Sequence, residues 1–301
     1  MSMNEGSKQR LKSSAGIMQV LEELFMSVLY SSLFISFCGF ALTIETYKLA
    51  ALPVSLSMAW FVFMATLFTY NVSSVQAVLA RFLYGKQSVG KSWVLRNRTA
   101  LSGLGIAGIL IAAVIYFYYN LNISFWFVLH LAIISVGYTV PILYRARKAR
   151  PLRKIPLLKV FLIAYVWAAV TIFFPLMDAG MEVWNEQALL LFIRRFLFIL
   201  ALALLFDIRD YTYDRNTSIL TIPGLIGVMK TKFLSLGLLL LYAVLAIMTE
   251  TGATVTALLI GAAGAAIVVI FSAEYKKRVY YLLLADGAML FHAALVYFVK
   301  G

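Results

Sequence analysis

The chain has 301 residues, of which 63% are hydrophobic and 13% charged, and its mean hydropathy is +0.91. That composition excludes a soluble domain, and repeated continuous apolar runs of roughly 20 residues point to membrane-spanning helices rather than an alternating barrel. The net charge of +13 reads as basic loops facing an anionic leaflet, not as nucleic-acid binding. Cys38 is the single cysteine, which excludes a disulfide framework or a cysteine metal site within one chain; it reads as a small core residue.

The N-terminal tail, residues 1–20, is polar and basic, and the apolar run after it is too long for a signal-peptide core, so it reads as an anchor that stays. Nine spans follow, near 22–44, 53–77, 101–119, 124–144, 157–175, 188–206, 228–249, 253–272 and 279–299. Together they make one polytopic all-α membrane domain over 1–301. All the Lys and Arg except Lys48, Arg194, Arg195 and Lys300 fall on one side of this arrangement. By the positive-inside rule that side is cytoplasmic, with the N-terminus inside and the C-terminus outside, as in a bacterial cytoplasmic (inner) membrane. Arg194 and Arg195 sit about 10 Å into the sixth helix, where they either snorkel or face the bundle. The two longest polar links, 78–100 and 207–227, both come out cytoplasmic, so a site shared between them opens there.

The second of these links carries the sequence DIRDYTYDRNTSILTIP, Asp207 to Pro223. Asp207, Asp210 and Asp214 are spaced i, i+3, i+7, which on a helix gives one face about 60° wide and about 10 Å long. Stacked carboxylates repel unless a cation sits between them, and a hard ion such as Mg²⁺ suits oxygen ligands and substrate phosphates. The alternative is a solvated helix end neutralised by Arg209 and Arg215.

Nine spans with two long cytoplasmic links, the second aspartate-rich, resemble the UbiA superfamily of intramembrane prenyltransferases. Asp207, Asp210 and Asp214 followed by Thr221-Ile222-Pro223 look like that family's second aspartate motif. Gly137-Tyr138 and Pro141 resemble its fourth-helix segment, Lys159 its following lysine, and Asp286-Gly287 an acidic position of the last helix. The resemblance implies a helical bundle in which Mg²⁺ holds an isoprenoid diphosphate. Asp207, Asp210 and Asp214 are then the metal and catalytic residues, and Asn71, Arg81, Lys86, Tyr138, Lys159, Arg209 and Asp286 line the substrate. The implied reaction moves the isoprenoid to a membrane-associated acceptor, often an aromatic ring or quinone precursor, with the metals neutralising the leaving diphosphate.

The family's first motif, Asn-x-x-x-Asp-x-x-x-Asp, is broken here. Tyr70-Asn71 is in place, but the aspartate positions hold Val75 and Leu79, and no Asp or Glu occurs from Thr46 to Met177. What remains there is basic: Arg81, Lys86, Lys91, Arg96 and Arg98 grip a diphosphate directly or only touch lipid headgroups. A second reading follows, a catalytically impaired family member that binds lipid or a partner protein. A third, a transporter working through Asp286, lacks a matching pair of broken helices.

Smaller features complete the reading. Tyr70, Trp93, Tyr138, Trp167 and Tyr211 are candidate cavity walls or interface anchors. Asp286 falls near mid-membrane, a functional position by default or a paired bundle residue. His130 and His292 have no neighbour at metal-ligand spacing and read as packing or internal hydrogen bonds. Gly261 and Gly264 read as close helix packing.

Overall fold

The computed structural model describes residues 22–83, 93–139, 143–145, 148–150, 157–216 and 220–300. It is helical apart from one short antiparallel hairpin, β1 (Leu143–Arg145) with β2 (Lys148–Arg150), in the basic link after the fourth apolar run. Among the described residues seven helices are long and apolar enough to cross a membrane, and eight if the bent pair at the start counts as one span. That pair is α1 (Glu22–Tyr30) and α2 (Leu33–Leu49), which meet at 61°. The break falls at Ser31-Ser32, where Ser32 adopts a left-handed φ of 66°.

The spans continue with α3 (Leu56–Leu83) and, after the short α4 (Trp93–Arg96), α5 (Arg98–Tyr118). The next helix, α6 (Phe125–Thr139), has 15 residues and spans about 22 Å, less than the ~30 Å hydrocarbon core. The expected fourth span, 124–144, runs on into residues 140–142, which lie outside the described residues. The described residues thus give seven or eight spans where nine were expected.

The fifth span is a composite. It consists of α7 (Leu158–Ala168), a π-helical turn (Ala169–Phe173) and α8 (Phe174–Asp178). Pro175 has no N–H to give to the carbonyl four residues before it, that of Thr171. Thr46 of α2 answers this: its hydroxyl donates to the Thr171 carbonyl at 2.6 Å. One proline therefore fixes where α2 must sit.

The sixth span, α9 (Glu186–Asn216), is the core of the bundle. It is 31 residues long, with two thirds of its apolar window buried. The short α10 (Ile222–Ile226) leads into α11 (Val228–Thr249) and α12 (Gly252–Phe271). The last span is built from α13 (Arg278–Tyr280), a second π-helical turn (Tyr281–Ala285) and α14 (Asp286–Lys300).

Small residues let these helices approach closely, as membrane packing requires. A Cβ on Gly108 would stand 3.0 Å from the Met64 carbonyl of α3, and one on Gly261 would stand 2.6 Å from the His292 ring of α14. On the outside, Leu110, Val114, Phe117, Leu240, Ile247, Ile267 and Phe298 are exposed. An exposed apolar belt of this kind suits hydrocarbon, not water.

Two span boundaries need correcting. The first span was expected to end at 44, but α2 runs to Leu49 and brings Glu45 inside the bundle. The sixth was expected to end at 206, but α9 continues to Asn216, and the aspartates stand on its last turns, on a helix as their spacing implies.

Thr46→Val keeps the shape of the side chain and leaves the Thr171 carbonyl without its donor. It is expected to lower stability by about 1–3 kcal/mol, read as a fall in the thermal midpoint, whereas Thr46→Ser should stay near wild type.

Candidate functional site

The C-terminal turns of α9 carry the aspartates, and α7 and the start of the last span pack beside them. Lys159, one residue into α7, reaches across to Asp207. Its Nζ donates to Asp207 Oδ1 at 2.6 Å and lies 4.0 Å from Asp210 Oδ2. The Asp207 side chain is buried and that of Lys159 is mostly so. The two carboxylates one helical turn apart are therefore already bridged by one cation, as their repulsion demands.

Arg209 forms the second half of the cluster. Its Nε and Nη2 donate to the two oxygens of Asp210 at 2.8 and 2.9 Å, a bidentate fork. Its guanidinium lies over the Phe206 ring, 5.1 Å from the centroid, and 6.0 Å from that of Tyr281. Tyr281 is itself fixed, because its hydroxyl donates to the Ala273 carbonyl at 2.7 Å. The π turn that begins at Tyr281 sets Asp286 at the head of α14, buried and within the field of Arg209. Asp214, also buried, interacts with Lys159, Asp210, Asp207 and Arg209.

Among the described residues the cluster therefore sets four carboxylates against two cations, Lys159 and Arg209. No group of three or more His, Cys, Asp or Glu among those residues could hold a metal ion. The i, i+3, i+7 spacing spreads the aspartates along the helix, and Lys159 and Arg209 occupy the first two. Asp207, Asp210 and Asp214 do not by themselves make a three-carboxylate cage.

The other candidate residues divide three ways. Asn71 is fully buried between α3 and α5, and neither its Oδ1 nor its Nδ2 has a hydrogen-bond partner in the protein. Thr221, at the start of α10, is buried with its hydroxyl in the same condition. Tyr70, beside Asn71, accepts a hydrogen bond from Trp167 Nε1 at 2.9 Å, which ties α3 to α7. Trp93 stacks on Tyr30 with centroids 5.8 Å apart, and Tyr211 is half-buried on α9. Lys86 lies outside the described residues, as do the side chains of Arg81 and Tyr138.

Several residues that carry charge or shape were not singled out from the sequence. Phe206 and Tyr281, which hold Arg209, carry no motif, although Phe206 directly precedes Asp207. Glu45 was lost because the first span was ended one residue too early. Arg194 and Arg195 face the bundle: both are buried, Arg194 bonding Glu250 Oε1 at 3.0 Å and Arg195 bonding Glu45 Oε1 at 2.9 Å. His130 and His292 make internal hydrogen bonds, to Tyr165 and to Tyr242 and Glu45 respectively. Cys38 is fully buried, its thiol donating to the Asp286 carbonyl at 3.3 Å.

Asp207→Asn leaves the Lys159 ammonium in a mostly buried place without its closest counter-charge. It is expected to cost about 1–3 kcal/mol, measured by thermal denaturation in detergent. The double variant Lys159→Met/Asp207→Asn should recover part of that loss, because no charge is left stranded.

The sequence matches no family model and no curated protein. Its three-dimensional arrangement does have counterparts among solved structures. A UbiA homologue from Aeropyrum pernix K1 in its apo form aligns with a TM-score of 0.56 at 18% identity, over 88% of this chain and 96% of that one. A UbiA homologue from Archaeoglobus fulgidus aligns with a TM-score of 0.55 at 13% identity, over 92% of this chain and 98% of its own. At such identities the likeness lies in the path of the helices, and it runs almost end to end in both relatives. The chain has the UbiA fold, an all-α, multi-pass membrane bundle.

Proposed function

We propose that this protein is a UbiA-type intramembrane prenyltransferase that takes an isoprenoid diphosphate with its headgroup at the aspartate end of α9. The bridging of Asp207 and Asp210 by Lys159, beside the Arg209 fork, carries the proposal. A diphosphate needs cations to hold it and to neutralise it as it leaves, and here two stand on a carboxylate face in an apolar bundle. Asn71 and Thr221 offer buried polar atoms to a guest.

The residues fit a Mg²⁺ ion that arrives with the diphosphate rather than a resident one. Asp207 and Asp210 already share a cation, so these two would hold the ion while phosphate oxygens complete its shell. When bound, the ion would neutralise charge on the departing diphosphate. Released from the carboxylates, Lys159 and Arg209 turn their donors to phosphate oxygens. Arg209 keeps its orientation because Phe206 and Tyr281 fix its plane. The allylic C–O bond breaks with its electron pair leaving on diphosphate, and a hydrophobic, membrane-associated acceptor of the aromatic or quinone-precursor kind attacks the carbon. The excess of Lys and Arg in the loops on this side supports a cytoplasmic placing of this end, as in a bacterial inner membrane, with the whole chain as one domain.

The stretch from Thr46 to Met177 without an acidic residue favours a second reading, a protein that binds the lipid diphosphate or a partner without turnover. The two readings separate in one experiment. Farnesyl and geranylgeranyl diphosphate are titrated onto the purified protein in nanodiscs, with Mg²⁺ and with chelator, followed by an assay for released diphosphate. Binding that needs Mg²⁺ and falls about ten-fold or more in Asp210→Ala, one charge-assisted contact or more, supports the site. Diphosphate release then selects the transferase, and binding without release selects the second reading. Binding indifferent to both Mg²⁺ and Asp210 overturns the site.

A further inference from the structure

A second charged cluster lies on α9 about 18 Å from Asp207, twelve residues back along the helix. Here Arg195 Nη2 bonds Glu45 Oε1 of α2 at 2.9 Å. The other Glu45 oxygen lies 3.2 Å from His292 Nδ1 of α14, and His292 Nε2 lies 2.5 Å from the Tyr242 hydroxyl of α11. Arg194 extends the cluster toward the helix ends, bonding Thr249 and Glu250. Glu45, Arg194, Arg195, Tyr242 and His292 are all buried. None of them enters the proposed chemistry.

The cluster is balanced in charge. Glu45 offsets Arg195 and Glu250 offsets Arg194. A neutral His292 that donates through Nδ1 to Glu45 accepts through Nε2 from Tyr242, so no proton is missing. Arg195 Nη1 is buried with no hydrogen-bond partner in the protein. It borders a cavity of about 10 Å³ lined by Glu45, Arg194, Tyr242 and His292 among others. That volume suits one water molecule, which such a donor would hold.

We infer that Glu45, Arg195 and His292 form a latch that closes the half of the bundle away from the aspartate site. The latch ties α2, α9, α11 and α14 together, and opening that half means separating paired charges inside a membrane. It is specified by packing as well as charge, since Gly261 of α12 leaves just the room that the His292 ring occupies. Loading and release then belong to the aspartate end or the lipid-facing flanks.

The chain contains its own reporter. Cys38, its single cysteine, is fully buried on α2 two turns deeper than Glu45, against the Asp286 carbonyl. The test is the rate at which a membrane-impermeant maleimide, presented only to the face that bears Glu250, labels Cys38 in the full-length protein in sealed, oriented proteoliposomes. Glu45→Gln and Arg195→Met each strand a charge and are expected to label about ten-fold faster or more than wild type. Glu45→Gln/Arg195→Met strands none and should return toward the wild-type rate. If the single variants fail to fold, Tyr242→Phe, which takes the hydroxyl from His292 Nε2 with all charges kept, gives the same reading. Folded single variants that label as slowly as wild type overturn the latch. A double variant faster than either single overturns it too, since that pattern is lost packing rather than lost charge balance.

Discussion

With no water in the hydrocarbon core, every charge drawn inside the bundle needs a counter-charge, and α9 carries most of those drawn in here. The helix bears Arg194 and Arg195 near one end and Asp207, Arg209, Asp210 and Asp214 near the other. Between them runs Phe196 to Phe206, wholly apolar and largely buried. Each charged stretch recruits its partners from neighbouring spans: Glu45 and Glu250 at one end, Lys159 and Asp286 at the other. The order of helices around α9 is thus also an order of charge pairing.

The two ends solve the pairing problem differently. Around Arg195 the charges match: Glu45 faces Arg195 and Glu250 faces Arg194. Around Asp207 the carboxylates are shared: Lys159 bridges Asp207 and Asp210, and Arg209 forks Asp210. A balanced set resists change. Under the proposed function a diphosphate would give Lys159 and Arg209 a second set of acceptors.

Much of this was legible in the sequence because the hydrophobic effect writes spans in long runs. The helical class, the carboxylate face of Asp207, Asp210 and Asp214, and the nearness of Lys159 to it all follow from pattern or from resemblance. What was not legible depended on tertiary contact. Glu45 read as the end of a span, because a carboxylate ordinarily marks one; only Arg195, 150 positions away in the chain, allows it inside. Asp286 had no partner in sight because Arg209 comes to it from another helix. The π turns at Ala169–Phe173 and Tyr281–Ala285 leave no periodic mark of their own, yet the second sets both the Tyr281 ring against Arg209 and the position of Asp286.

On the proposed function, Lys159 holds Asp207 in the absence of substrate and phosphate in its presence. The direct measurement is the affinity of Lys159→Gln for geranylgeranyl diphosphate in nanodiscs with Mg²⁺, compared with wild type. A loss of about ten-fold or more, one charge-assisted phosphate contact, is the result this account predicts. An unchanged affinity in a folded variant would contradict it, and would leave Lys159 as no more than the counter-ion of Asp207.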